Sequence, residues 1–448
     1  MLGDNYQAIA DRLAGDIASG RLKPGERLPP QREFAYRRGI ANSTASRVYG
    51  ELRRRGLVAG EVGRGTFVRA AAAPPRRALD EPAAERIDLE LNFPAVPDQA
   101  ALLARSLAGL VRRPTDLGAS LQPIGVRGTA AARQVSAAFL AHGGWSPAAD
   151  DMLFAGNGKQ AITAALAALV PAGERLGVEA LTYPLVKGVA ARLGMDLVPL
   201  AMDEEGVRPD AVARAQRATP MRALYLQPTL HNPSGTTMSR RRREALAAML
   251  RQFDLVAVED SIYAFLAQDL PPLAAFAPQN VVLIDSLTKR LSPGLTVGFA
   301  VAPSRLVERI AVSLRVGAWL ASGFALEAGV RWMTDGTALK IIDAKRRDAA
   351  ARQMLARKRL SGLAVRADRR AYHCWVTLPE VWRAEAFVAA AARRGIAVTP
   401  AAAFAARPGH APNACRLALA SPDIGALADA LDTLAALARS DPQAWDTE

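Results

Sequence analysis

The chain has 448 residues, half of them hydrophobic, with a formal net charge of +14, two cysteines and four histidines. That length exceeds one ordinary core and implies two or three domains, while no apolar run reaches the roughly 18 residues a membrane helix needs. The two cysteines, Cys374 and Cys415, exclude a disulfide framework, and the spacing of the histidines argues against a metal site.

Met1–Asp16 carries acidic and polar residues where a secretory leader needs an apolar stretch, so a cytoplasmic location with no membrane partner is expected. From there, residues 1–70 read as three helices and a small hairpin. Ile9, Leu13 and Ile17 recur every fourth residue, and Gly20 offers a stop. Pro30 opens a short helix that runs through Phe34 and ends at Gly39. A tight turn, Gly39-Ile40-Ala41, leads to a third helix with Val48 and Leu52 on its inner face. Leu57–Val58 and Thr66–Val68 then alternate as strands around Gly63 and Gly65.

A helix-turn-helix sets the first residues of its second helix at base edges in the major groove. Here those residues are Asn42, Ser43, Thr44, Ser46 and Arg47. Arg32, at the start of the preceding helix, is placed for a phosphate or a guanine edge, and Arg64 at the hairpin tip for the minor groove. The competing reading is a small helical packing unit with solvated arginines.

An Ala-, Pro- and Arg-rich stretch follows, so residues 71–86 are expected to be a linker. The third segment, 87–445, has an α/β pattern. Short apolar runs at Met152–Ala155, Ala223–Leu226, Leu255–Val258 and Val281–Ile284 alternate with helical stretches such as Ala161–Leu169 and Arg241–Leu250. This predicts a mostly parallel sheet with helices on both faces. Strand-like Tyr372–Leu378 and a helix over Glu385–Arg394 predict a smaller C-terminal α+β lobe.

Ligands gather past the carboxyl ends of such strands. One strand ends in Asp285-Ser286-Leu287-Thr288-Lys289. A lysine there can condense with an aldehyde cofactor, and its hydroxyl neighbours suit a phosphate. Another ends in Glu259-Asp260-Ser261-Ile262-Tyr263, where Asp260 would keep a pyridine nitrogen protonated and Tyr263 would reach a ring oxygen. A third leads to His231-Asn232-Pro233-Ser234-Gly235, a turn that makes Asn232 a rigid donor. Gly158, Lys159 and Gln160 open a helix whose unpaired amides suit a phosphate. Tyr183 could stack on a ring, and Arg416 offers a fork for a carboxylate. Singly, each reading competes with an ordinary surface lysine, acidic loop or turn.

The run Leu22–Val68, with Leu-Lys-Pro-Gly-Glu-Arg-Leu-Pro-Pro-Gln-Arg-Glu-Phe-Ala and later Gly-Arg-Gly-Thr-Phe-Val, resembles the winged helix of GntR regulators. The resemblance implies that Arg32, Arg47 and the wing around Arg64 contact DNA. Ala41 stands where that family usually has a capping Ser, so Asn42 is expected to cap instead.

From Ile87 to Ala435, the order Gly-Lys-Gln, Thr-Tyr-Pro, Asn-Pro-x-Gly, Asp-x-x-Tyr, Ser-x-Thr-Lys and a late Arg resembles the fold-type I aminotransferases. This implies pyridoxal 5'-phosphate as a Schiff base on Lys289. Asp260 falls at the ring nitrogen, Asn232 and Tyr263 at the ring oxygen, and Tyr183 stacked on the ring. Gly158, Lys159, Gln160 and Ser286 fall at the phosphate, and Arg416 at an effector carboxylate.

There are two departures. Thr296 replaces the usual phosphate arginine, removing a pair worth roughly 1.5–3 kcal/mol. Lys159 or Arg290 is the candidate substitute. No Tyr precedes the Gly near residue 125, where the family donates one across its dimer.

A winged helix-turn-helix joined to a type I transferase fold resembles the MocR subfamily. That implies a head-to-tail homodimer, a double-stranded DNA operator and a response to an amino acid, an amine or pyridoxal phosphate. The alternative is a working aminotransferase with an accessory DNA-binding head.

Overall fold

The computed structural model describes residues 6–18, 21–23, 25–54, 57–61, 65–68, 87–294 and 296–441. The chain divides into two compact units, and the division falls within the segment 69–86. That segment, with the expected linker at 71–86, lies outside the described residues, as does Arg64.

In the first unit three helices, Tyr6–Ala18, Gln31–Arg38 and Asn42–Arg54, share one core. The fourfold spacing of Ile9, Leu13 and Ile17 turns them all inward, against Phe34, Val48, Tyr49 and Leu52. Gly39 takes φ 62° and ends the second helix, its amide donating back to the carbonyls of Ala35 and Tyr36. Tyr49 anchors the junction. Its Oη donates to Pro29 O at 2.6 Å, its ring meets Phe34 edge-on at 5.3 Å, and burial pushes its hydroxyl up to about 12. Asn42 is the first residue of the third helix, which leaves Ala41 at the capping position and corrects the expected Asn42 cap. The hairpin strands Val58–Glu61 and Gly65–Val68 are joined by a third, Arg27–Leu28, pairing antiparallel with Gly65–Val68. Two residues are too few to show a period in sequence.

The second unit is built on a seven-stranded sheet. Its order is Met152–Ala155, Gly298–Val301, Val281–Ser286, Val256–Asp260, Ala223–Leu226, Arg175–Glu179, Asp196–Leu200. Gly298–Val301 runs antiparallel to both neighbours and the remaining pairs are parallel. Period two divides each strand between two cores. Leu224, Leu226, Ala257, Leu283 and Phe299 pack with the helices Arg240–Gln252 and Gly323–Thr334. Ala223, Tyr225, Val258, Ile284 and Ala300 pack with Gly158–Leu169 and Ser304–Val316. Both faces are covered, which is why these strands read as continuous apolar runs.

A smaller five-stranded sheet has the order Ala364–Arg366, His373–Thr377, Ala414–Ala418, Ile396–Pro400, Ile87–Leu89. Four of its strands belong to the smaller C-terminal α+β lobe that the sequence predicts. Its edge strand comes from the start of the unit and pairs parallel with Ile396–Val398. This crossover brings Glu90–Phe93 to the ends of the large sheet's strands, where Lys289 and Arg416 meet it. Among the described residues no helix is long and apolar enough to cross a membrane.

Candidate cofactor site

Four neighbouring parallel strands end in Glu179, Leu226, Asp260 and Ser286, and Tyr183, Asn232, Tyr263 and Lys289 follow these ends; Gly158, Lys159 and Gln160 follow the edge strand Met152–Ala155, and Arg416 lies on the smaller sheet's Ala414–Ala418. Asp260 is buried. Its Oδ2 accepts from Tyr225 Oη at 2.6 Å and Gln227 Nε2 at 2.8 Å, and its Oδ1 from the Ile262 amide at 3.1 Å. Burial is the main cause that raises its carboxyl above the usual range. All these partners are neutral donors, so the arrangement is one a protonated ring nitrogen would complete.

Ser286 caps the short helix Leu287–Arg290, which carries Lys289. Burial, then the positive charges of Lys159, Arg416 and Lys345, holds the Lys289 amine down at about 7. Its Nζ donates to Asn92 O and lies 3.9 Å from the centre of the Phe93 ring. A lysine neutral near pH 7 is a nucleophile toward aldehydes. Lys345, on the helix Thr337–Arg359, is fully buried and donates to the carbonyls of Lys289 and Leu291 at 3.0 and 2.6 Å. It fixes the backbone on both sides of the short turn.

A small polar cradle lies beside Ser286. Its Oγ lies 2.8 Å from Thr288 Oγ1 and 3.1 Å from Thr296 Oγ1, and those two are 2.7 Å apart. Gly158 begins the adjoining helix, where an added Cβ would come within 3.1 Å of Ser286 Cβ. Asn157 caps that helix by accepting from the Gln160 amide at 3.0 Å, and Gln160 Oε1 is buried without a partner. Burial lowers the Lys159 amine. Helix amides, hydroxyls and one amine form a donor set suited to a phosphate. Arg290 is not part of it. Its guanidinium is buried in a pair with Asp285, at 2.5 and 3.2 Å, and packs on Phe139 and Phe265. The idea that Arg290 takes the place of the arginine missing at Thr296 is therefore corrected.

Asn232 and Arg416 meet. Arg416 Nη1 donates to Asn232 Oδ1 at 3.1 Å, and Nη2 donates to Thr399 Oγ1 at 3.0 Å and to Glu90 O. Arg416 is buried over the Phe404 ring, 5.1 Å from its centre. The turn presenting Asn232 is braced by buried His231, whose Nε2 lies 3.2 Å from Glu179 Oε2 and whose carbonyl faces His373 Nε2 at 2.9 Å. Tyr263 is buried, with Asn92 Nδ2 donating to its Oη at 3.4 Å. Tyr183 belongs to the same group: after burial, the charge of Asp260 and the hydroxyl of Tyr263 are what raise its own hydroxyl.

The structure thus gathers Gly158, Lys159, Gln160, Tyr183, Asn232, Asp260, Tyr263, Ser286, Lys289 and Arg416 into one region. Sequence reading missed Tyr225, Lys345, Asn92 and Phe93. Tyr225 sat within a run that reads as core, and Lys345 within a long charged helix. Asn92 and Phe93 carry no motif at all. A buried carboxylate ringed by neutral donors, a lysine held down at about 7 and a cradle of hydroxyls and helix amides fit a phosphorylated pyridine aldehyde.

In the first unit Arg32, Asn42, Ser43, Ser46 and Arg47 are exposed and Thr44 is half-buried. Ala45, Val48, Tyr49 and Leu52 face the core, so the side chains expected at DNA stand on the opposite face of that helix.

Comparison with known proteins gives two family matches. Residues 116–434 match aminotransferase class I and II, and residues 5–68 match the gntR family of bacterial regulatory proteins. An uncharacterized HTH-type transcriptional regulator of Bacillus subtilis, YdeF, is 30% identical over 93% of this chain and 90% of its own. The vitamin B6 salvage pathway transcriptional repressor PtsJ of Salmonella typhimurium is 26% identical over 74% of this chain and 76% of its own. The solved structure of LysN, an α-aminoadipate aminotransferase of Thermus thermophilus, superposes with a TM-score of 0.70 at 24% identity, covering 80% of this chain and 92% of that one.

Proposed function

Because the chain belongs to the class I and II aminotransferase family and carries a gntR-family winged helix at its N-terminus, we propose that it is a pyridoxal-phosphate-dependent transcriptional regulator. The observation that carries this reading is that one chain joins a gntR-family head, whose third helix exposes Asn42, Ser43, Ser46 and Arg47, to a buried site built around Lys289. Pyridoxal phosphate is the family's cofactor. Bound there, it supplies an aldehyde carbon that primary amines attack and a ring that draws electrons from it.

The residues divide the work. Lys289 is the covalent anchor. Asp260, kept in place by Tyr225 and Gln227, would hold the ring nitrogen's proton. Asn232 and Tyr263 would hold the ring oxygen, and Tyr183 would stack on the ring. Gly158, Lys159, Gln160 and Ser286, with Thr288 and Thr296, hold the phosphate. Arg416 takes the carboxylate of an amino acid effector.

Arg32, Asn42, Ser43, Thr44, Ser46 and Arg47 form the DNA contact, with Arg64 on the wing. A head-to-tail homodimer would present two heads to a twofold operator. An effector moves the heads only if it binds two states of the dimer unequally.

Thr296 favours sensing over turnover. An aminotransferase must keep its aminated cofactor without a covalent bond for half of each cycle, and here the phosphate seat has hydroxyls in place of a guanidinium. The test is retardation of the DNA upstream of its own gene, at stated salt because phosphate contacts are salt-dependent. Retardation is expected. Rapid multiple-turnover amino transfer to a keto acid, with no retardation at low salt, would assign the chain to enzymes instead.

A further inference from the structure

Both groups that an amino acid effector or the cofactor must reach are held by carbonyls of one short stretch. Lys289 Nζ donates to Asn92 O, and Arg416 Nη2 donates to Glu90 O. The stretch is tied down from its other side. Ser421 Oγ donates to Leu91 O at 2.5 Å and accepts from the Phe93 amide at 3.3 Å. Asp88 Oδ1 accepts from the amides of Glu90 and Leu91 at 2.7 and 3.0 Å. The Phe93 ring completes it, 3.9 Å from Lys289 Nζ.

These bonds compete with ligands on chemical grounds. An amine that condenses with an aldehyde loses two N–H hydrogens, which leave with the aldehyde oxygen as water. After that link forms, the Lys289 nitrogen carries a hydrogen only if the imine is protonated, so its bond to Asn92 O is weakened or lost. A carboxylate is also a stronger partner for the Arg416 fork than an uncharged carbonyl.

We propose that Glu90–Phe93 is a displaceable strap, whose Asn92 carbonyl gives up Lys289 when Lys289 links to the cofactor and whose Glu90 carbonyl gives up Arg416 when a carboxylate-bearing amine is captured. This deepens the regulatory reading above and rests on Lys289 being the cofactor anchor. In sequence the strap follows the first strand of the large unit, Ile87–Leu89, which itself follows the segment leading from the head.

The test uses the full-length, cofactor-free protein titrated with pyridoxal phosphate. The hydrogen bonds of Ser421 given above go to the strap. Ser421→Ala weakens a competitor of the cofactor, so binding should tighten about fivefold, the worth of roughly one net hydrogen bond. Ser421→Thr should restore the wild-type affinity. Unchanged or weaker binding in Ser421→Ala overturns the strap.

Hydrogen exchange at the Leu91 and Phe93 amides supplies a second readout. A ligand that only stabilises the fold slows exchange, whereas release of the strap speeds it, here by about tenfold in the loaded wild type. Slower or unchanged exchange while the bound cofactor's visible absorbance develops overturns the strap and leaves the cofactor site standing. If no absorbance develops, the Lys289 reading itself falls and takes the strap with it.

Discussion

At the scale of single residues the account turns on proton positions. An amine must be neutral to attack, and Lys289 is held at about 7 by burial, assisted by Lys159, Arg416 and Lys345. Its neutral fraction rises about tenfold per pH unit below that value and levels off above it. The rate at which cofactor-free protein captures pyridoxal phosphate, followed by absorbance, should climb to about pH 7 and then flatten. A climb continuing far into the alkaline range would mark an ordinary exposed lysine. Asp260 gives a second prediction. Asp260→Asn keeps the shape and removes the charge, so cofactor affinity should drop at least about tenfold, the share of one charge-assisted bond of roughly 1.5–3 kcal/mol. Unchanged affinity in a titration would mean that no ring cation faces it. The order of motifs made Lys289 and Asp260 visible in the sequence. Their supporters Tyr225, Gln227 and Lys345 acquire meaning only through strand neighbours and a distant helix.

At the scale of elements, close backbone approach sets the proposed phosphate seat. The strand Gly298–Val301 passes so near the start of the helix Gly158–Leu169 that a Cβ on Gly298 would stand 2.3 Å from Asn157 O. No side chain fits there, and the contact is with backbone, which cannot turn aside. Gly298→Ala should push the strand away from the Asn157 cap, cost roughly 1–3 kcal/mol of stability and weaken cofactor binding severalfold. Thermal unfolding and the titration above read the two effects, and wild-type values in both would show that the gap can open at no cost. The strands Met152–Ala155 and Ala223–Leu226 were legible to the residue because they are buried on both faces and bounded by polar turns. The antiparallel Gly298–Val301 was not, since a strand's direction leaves no periodicity. Asn42 differed by one position: Asn is a favoured cap, but the helix begins one residue earlier than that reading, with the Ala41 carbonyl accepting from the Ala45 amide.

At the scale of the whole molecule the two units were legible as a change of pattern, from helices with a hairpin to alternating strands and helices. The smaller sheet was only partly so. Its edge strand Ile87–Leu89 joins partners some three hundred residues away, and three residues carry no signal for so distant a pairing. That pairing brings Glu90–Phe93 to Lys289 and Arg416. A regulator has to link DNA affinity to the state of Lys289, whereas an enzyme with an accessory head does not. The decisive measurement is retardation of DNA from the region upstream of its gene, at one fixed low salt, with and without pyridoxal phosphate, for wild type and Lys289→Ala. A cofactor-dependent shift of the midpoint in the wild type, absent in Lys289→Ala, whose cofactor-free binding stays intact, is the predicted result. An identical midpoint with and without the cofactor in both proteins, or no retardation at all, would contradict the account.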